Sequence, residues 1–395
     1  MVADVFVGFF YDSQKEKELL RASRSAISAA ANQYQEGFLL GLPKEPKILT
    51  TLSTATFPRG SKRLLFRKEE KKTDKGEILY LPFVNLHLLK NPMFAWGLYH
   101  RLCRIVDAQP YTVVYVYSLN TVFERVMARL KRKFGQKVHY CLIVPDLPGK
   151  YGIVRRGIKG LKDRLEAKPK MELATWADSF IFLTEAMKTL FPSKPSGVLE
   201  GFLPQSQFDY QQKRIPKTVL YTGSLNREFG LDTLLEAFCA IPDPDAQLWI
   251  CGAGDMEVAV KAAAARDTRI LFKGFLSKAE ISSLQTRCDV LINPRPAKGE
   301  YTQYSFPSKT MEYLLSGSKV VMYRLPGIGA EYYRYIRTID ADGPQAMAAA
   351  LQKAWADVEF YEKRSGEQIN WISHEKQAHR CVCRALQEIG LAAAE

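Results

Sequence analysis

The sequence predicts an α/β protein made of two doubly wound, Rossmann-like domains, and three observations carry that prediction. Through the second half, short apolar runs alternate with helical periodicities, as in a parallel sheet covered on both faces. At 395 residues the chain is too long for one ordinary core. Its charge is also divided: residues 1–200 hold 33 Lys/Arg against 19 Asp/Glu, whereas residues 201–395 hold 23 of each. The whole net charge of +14 therefore belongs to the first half, a separate electrostatic object. The expected division is 1–200, 201–369 and a final helical segment 370–395 that crosses back onto the first domain.

In the first half, strands are expected over Val5–Phe10, Ile48–Thr51, Ile78–Leu81, Thr112–Tyr117, Val138–Val144 and Ser179–Leu183. Helices are expected over Glu16–Ala31, Met93–Val106, Thr121–Lys133 and Gly157–Thr175. The charged segment Arg59–Gly76 lacks apolar alternation and reads as a loop. Pro192 to Pro216 holds four prolines without periodicity and reads as the inter-domain hinge.

The second half is plainer. Thr218–Thr222 is a strand, Gly223–Gly230 a turn, and Leu231–Ala240 an amphipathic helix with Leu231, Leu234, Leu235 and Phe238 on one face. Gln247–Cys251, Arg269–Phe272, Asp289–Ile292 and Lys319–Tyr323 are further strands. Ser277 with Glu280 three positions on forms a capping-box signature. Between the last two strands, Ser305–Gly317 begins with a helix start that carries Lys309 and, one turn later, Glu312. A carboxyl end of a strand in an open parallel sheet is where nucleotides bind. A cation there suits phosphate, and a carboxylate can accept from both hydroxyls of a ribose. A cation at a helix start is also disfavoured by the helix dipole, which points to a ligand anion nearby.

Composition excludes several classes. No apolar run reaches the ~20 residues that span a bilayer, and the opening Met1–Phe10 reads as a strand, not a signal peptide. The seven cysteines form no Cys-x-x-Cys pair and read as buried thiols of a reducing cytosol. Cys381 and Cys383 with His374 and His379 fit no common zinc spacing, so no metal is expected.

Five motifs then occur in order: Gly223-Ser-Leu-x-Arg227-x-x-Gly230, Cys251-Gly-x-Gly-x-x-Glu257, Lys273-Gly-Phe275, Asp289-Val-Leu-Ile-Asn-Pro294 and Pro307-Ser-Lys309-x-x-Glu312-Tyr-x-x-x-Gly317. In this the chain resembles retaining glycosyltransferases of family 4, or group 1, and among them bacterial enzymes that build capsular or exopolysaccharide units. Ala31-Asn32-x-x-Gln35 and Val144–Pro148 are weaker points of likeness in the first half. The resemblance implies the GT-B fold, with two Rossmann-like domains facing a cleft, the donor on the C-terminal one and the acceptor on the N-terminal one, and no metal or other cofactor. It assigns Glu312 to the ribose and Lys309, Arg227 and Arg295 to the diphosphate, with Gly223, Tyr304, Ser305 and Phe306 lining the donor site. Lys309, Arg227 and Asp146 are the expected catalytic residues, Asp146 acting on the acceptor hydroxyl. The family's second glutamate, eight positions before the first, is replaced by Tyr304, with Glu300 as a possible substitute.

The expected function is retaining transfer of a sugar from a nucleotide diphosphate sugar, UDP-sugar foremost, to a lipid-linked or saccharide acceptor in bacterial surface polysaccharide synthesis. The basic half suits an anionic membrane surface at the cytoplasmic face, with Phe123–Phe134 and Ile153–Lys170 as the candidate contacts. A nucleotide-sugar epimerase on the same scaffold is the enzyme alternative. A nucleic-acid-binding module is the non-enzyme one, and it lacks the aromatics interleaved on basic strands that single-strand binders use.

Overall fold

The computed structural model describes residues 2–24, 29–147, 167–203 and 208–392. They form two compact units: Met1–Phe202 with Gln377–Glu395, and Leu203–Lys376.

The first unit is built on an eight-stranded sheet. Its strands are β1 (Val2–Gly8), β2 (Lys47–Thr50), β4 (Glu69–Thr73), β5 (Gly76–Tyr80), β7 (Tyr111–Tyr117), β8 (Val138–Val144), β9 (Ser179–Phe182) and β10 (Ser196–Val198), in the order β10-β9-β8-β7-β1-β2-β5-β4. All neighbours are parallel except β4 against β5. A separate antiparallel pair joins β3 (Leu65–Phe66) to β6 (Phe83–Val84). The helices are α1 (Ser13–Ala22), α2 (Ala29–Gly41), α3 (Lys90–Asp107), α4 (Thr121–Phe134) and α5 (residues 167–174). Central strands such as Tyr111–Tyr117 are buried almost throughout, which is why they read as continuous apolar runs.

Two sequence expectations are corrected here. Arg59–Gly76 is no loop, since β3 and β4 lie within it. Glu69–Thr73 closes the sheet edge as a charged strand, a common guard against edge-to-edge pairing, and so shows no apolar alternation. Helix α4 cannot present its apolar side to a membrane, because Phe123, Val126, Met127 and Leu130 are buried in the unit's core. Its basic residues are held at the protein surface, with Lys131 on Asp178 at 2.8 Å and Arg132 over the ring of Trp176. Most of Ile153–Lys170 lies outside the described residues.

The weak likeness at Asn32 and Gln35 has a local cause. Gln35 Oε1 accepts from the Phe9 N–H at 2.8 Å, and Asn32 exchanges two hydrogen bonds with the backbone of Tyr11, each 2.9 Å. These two amides of α2 fix the chain as it leaves β1. His139 opens β8, where it bonds Ser179 Oγ at 2.8 Å, a structural position.

The second unit has six parallel strands: β11 (Ile215–Thr222), β12 (Gln247–Cys251), β13 (Ile270–Gly274), β14 (Cys288–Asn293), β15 (Lys319–Tyr323) and β16 (Ile336–Ile339). Their order is β13-β12-β11-β14-β15-β16, the Rossmann order, with the topological switch between β11 and β14. The helices are α6 (Leu231–Cys239), α7 (Glu257–Arg266), α8 (Lys278–Arg287), α9 (Lys309–Leu315), α10 (Pro344–Ala356), α11 (Phe360–Lys363) and α12 (Ser365–Glu375). Ser277 and Glu280 close the expected capping box on α8.

At the amino ends of β14 and β15, Asp289 is buried. It accepts from Lys319 at 3.0 Å, from the Tyr361 hydroxyl at 2.8 Å and from the Lys217 N–H at 3.2 Å. Lys319→Met would leave this carboxylate short of its cation in a dry site. The expected loss is about 3 kcal/mol of stability, read by denaturant unfolding. Nucleotide affinity should stay unchanged, because the carboxyl ends of the strands lie elsewhere.

The final helix α13 (Ala378–Glu388) packs on α2 and β10 in the first unit. Gly197 of β10 faces the backbone of Ala385, so close that a side chain there would collide with it. The break between units falls at 376/377, not at 369/370. Helix α12 stays with the second unit because Gln368 donates to the carbonyls of Leu314 and Ser318, and Ser365 to that of Gly317. The stretch Pro192–Pro216 is not featureless, since β10 stands in it, and residues 204–207 lie outside the described set.

Candidate active site

At the carboxyl ends of β11, β12 and β14, three turns interlock. Gly223 leaves β11 at φ +141° and Gly252 leaves β12 at φ +138°, a region that disfavours side chains. The Gly223 N–H donates to Cys251 at 2.9 Å, the Gly252 N–H to Gly274 at 2.8 Å and the Leu225 N–H to Ala253 at 2.9 Å. A Cβ on Gly252 would strike the Gly223 carbonyl, and one on Gly254 would press on Leu225. The glycines of the second motif are thus required by turn packing. Gly230, also at positive φ, starts α6 against the carbonyl of Pro294 beyond β14, which ties the two sides of the switch together.

Lys309 reaches into this floor. Its ammonium lies 5.0 Å from the centre of the Tyr221 ring and directly over Gly223, where a Cβ would overlap it. Among the described residues it makes no hydrogen bond or ion pair. The side chain is half-buried, and loss of water pulls its pKa down to about 8, while the charge of Glu312 acts upward. The floor itself is rigid. The Tyr313 hydroxyl accepts from the Thr222 N–H at 3.1 Å, and the Tyr221 hydroxyl donates to the Ser224 carbonyl at 2.7 Å. Tyr221 and Tyr313 were not among the sequence candidates. Their only signal was a tyrosine near a strand's end and another after Glu312.

The other candidates are less uniform. Glu312 is half-buried on the first turn of α9, and its charge acts on Lys309. Arg295 donates to Ser305 Oγ at 2.8 Å and stacks 4.8 Å from the centre of the Tyr301 ring, with its Nε buried and unpaired. It braces the 300–305 turn. Tyr304 ends that turn half-buried, while Glu300 begins it exposed to solvent. The Phe306 ring is buried against Tyr332, which leaves its backbone as the part a ligand can meet. Arg227 sits on a 3-10 turn, 68% exposed, at 3.6 Å from Asp232. Gly223, Lys309 and Glu312 are therefore brought together at the switch point. Arg227 stands at its rim and Arg295 acts through the turn it holds.

Asp146 belongs to the first unit, just past the carboxyl end of β8. Its side chain meets solvent, yet the surrounding protein raises its carboxyl above the usual range, an effect that solvent contact limits. Among the described residues, no group of three or more His, Cys, Asp or Glu is arranged to hold a metal ion.

With this geometry in place, comparison with known proteins defines the class. Residues 216–357 match the family described as Glycosyl transferases group 1. No curated protein sequence matches the chain at a significant level. Solved structures match over nearly the whole chain. Anabaena HepE, solved in complex with UDP, has a TM-score of 0.60 at 14% identity, covering 98% of this chain and 99% of its own. Sucrose-phosphate synthase of Thermosynechococcus elongatus scores 0.58 at 14% identity, covering 95% and 96%. WaaG, a glycosyltransferase involved in lipopolysaccharide biosynthesis, scores 0.57 at 12% identity, covering 98% and 100%. The fold is GT-B, an α/β architecture of two Rossmann-like domains. Through the match over residues 216–357, the protein is a glycosyltransferase enzyme.

A Gly223→Ala substitution tests the floor. It forces a side chain to φ +141° and into the Lys309 ammonium. The expected result is a stability loss of about 1–3 kcal/mol, seen in thermal unfolding, together with weakened nucleotide binding.

Proposed function

We propose that the protein transfers a sugar from a UDP-sugar to a hydroxyl of a lipid-linked or saccharide acceptor, with retention of anomeric configuration, in the assembly of a bacterial surface polysaccharide. The observation that supports this most is the Lys309 ammonium, lodged at the topological switch with no hydrogen bond or ion pair among the described residues. It is a cation prepared for a ligand's diphosphate. HepE was solved with UDP and glucose, and the pneumococcal O-GlcNAc transferase GtfA with UDP and GlcNAc, which favours a UDP donor here.

In the proposed reaction, the bond between the anomeric carbon and the diphosphate oxygen breaks as the acceptor oxygen bonds to that carbon on the same face. The electron pair goes to the departing diphosphate, where Lys309 meets the growing charge and Arg227 adds to it from the rim. The acceptor proton passes to the departing phosphate oxygen, so no protein nucleophile is required. Asp146 is assigned to orienting the acceptor hydroxyl. Glu312 accepts from the ribose, and Tyr304 offers its hydroxyl to the sugar where relatives have a glutamate. The diphosphate is held by these cations without a metal, and the enzyme works at the inner face of the cell membrane.

Calorimetry with UDP, GDP and ADP tests the donor assignment, since UDP should bind tightest. Transfer from the selected donor should persist in a chelator and yield product with the donor's anomeric configuration by NMR. Failure of every nucleotide to bind would overturn the reading. Conversion of the donor without any acceptor would replace it with the epimerase.

A further inference from the structure

Among the described residues, exposed apolar side chains gather in the first unit, on the segment that leads into α3. Leu88 is 80% exposed, Trp96 69%, Leu65 54%, Leu89 48% and Met93 40%. Leu89, Met93 and Trp96 follow one another at helical spacing, so they share a face of the first turns of α3. Leu64 and Leu65 join them across the small β3–β6 pair: Leu65 faces Val84, and the Asn85 N–H donates to the Leu64 carbonyl at 2.7 Å. These exposed apolar residues therefore gather in one stretch of the first unit instead of being spread over it. Such a grouping marks an interaction surface.

The partner's chemistry is set by the charge around the patch. Segments 54–68 and 86–106 carry eight Lys/Arg and no Asp/Glu. Lys62 and Arg67 are exposed beside the leucines, whereas Lys68 is ion-paired with Glu70 at 2.8 Å. Lys90 is held back, donating to the Thr54 carbonyl at 2.7 Å over the ring of Phe83. A second copy of the chain would set this basic rim against itself, so self-association is opposed. An anionic bilayer supplies both complements: hydrocarbon for the leucines and methionine, the interface for Trp96, and phosphate headgroups for the cations. Among the described residues, no helix is long and apolar enough to cross a membrane, so the contact is with the surface of one leaflet.

We propose that the patch of Leu64, Leu65, Leu88, Leu89, Met93 and Trp96, with Lys62 and Arg67 beside it, is the surface that docks the enzyme on anionic lipid. This deepens the membrane placement proposed above and rests on that part of the reading. It also moves the contact from α4, whose apolar side is buried, to α3 and the β3–β6 pair.

The test is co-sedimentation of the full-length protein with vesicles of phosphatidylcholine alone or mixed with phosphatidylglycerol. The variants are Leu88→Ser with Trp96→Ser, and Lys62→Glu with Arg67→Glu. All four positions are exposed, so the fold should hold, and UDP affinity serves as the check. The native protein should bind only the anionic vesicles and release in high salt. Each double variant should bind about tenfold more weakly or worse with UDP affinity unchanged. If the native protein binds and both variants bind equally well, this surface is wrong while membrane placement stands. If the native protein ignores anionic vesicles at low salt, surface and placement both fail, whatever the UDP result. If the native protein forms dimers that the Leu88/Trp96 variant dissolves, the face is an interface between copies and the lipid assignment is overturned.

Discussion

Lys309→Met should lower the rate of sugar transfer about 10²–10³-fold, the size seen when one preorganised electrostatic stabiliser of developing charge is removed. The substitution keeps the length and the apolar stem, so packing over Tyr221 and Gly223 survives and stability should change little. The free ammonium is half-buried with a pKa near 8. That fixes the sign of a second effect. Below about pH 7 the group is charged in the free protein, and nucleotide binding needs no proton from it. Above pH 8 it is largely neutral when unbound, and an arriving diphosphate restores the charged form. Binding should then take up a proton, and apparent affinity should fall as pH rises through 8. The second ionisation of a phosphate, near pH 6, is complete there and adds nothing. Calorimetry of UDP binding at pH 8.5 in buffers of different ionisation enthalpy would register the uptake, and Lys309→Met should abolish it. A native enzyme whose affinity is flat from pH 7 to 9 would remove Lys309 from the diphosphate.

Much of this site was legible because its parts are local. Val290, Leu291 and Ile292 form a continuous apolar run since their strand is covered on both faces, and Lys309 and Glu312 lie one helical turn apart in the sequence itself. What was not legible is tertiary. Nothing in the sequence around residue 223 says that the glycine there makes room for a lysine 86 positions later, or that the ring of Tyr221 lies beneath it. The charged strand Glu69–Thr73 was invisible because edge strands need no apolar alternation. The apolar patch near α3 was invisible for the opposite reason. Apolar residues at helical spacing, such as Leu89, Met93 and Trp96, normally mark a buried face, and only the fold shows them 48%, 40% and 69% exposed.

Glu312→Ala should weaken UDP binding by about 2–3 kcal/mol, roughly thirty- to two-hundredfold, which is the worth of charge-assisted hydrogen bonds to ribose hydroxyls. Loss of affinity alone would not identify the ribose, because Glu312 also acts on Lys309. Its charge favours the ammonium, so its removal lets the lysine pKa fall further below 8 and weakens diphosphate binding as well. The two contributions separate by pH and by ligand. At pH 6.5 Lys309 is charged in either protein, so the electrostatic part is suppressed and any remaining loss belongs to direct contact. Comparing UDP with 2′-deoxy-UDP then isolates the sugar. The native enzyme should prefer UDP by about tenfold, and Glu312→Ala should bind both equally, because the missing carboxylate can no longer tell them apart. If the native enzyme shows no preference, Glu312 does not hold the ribose. Its place on α9 would then serve to keep Lys309 charged beside Gly223.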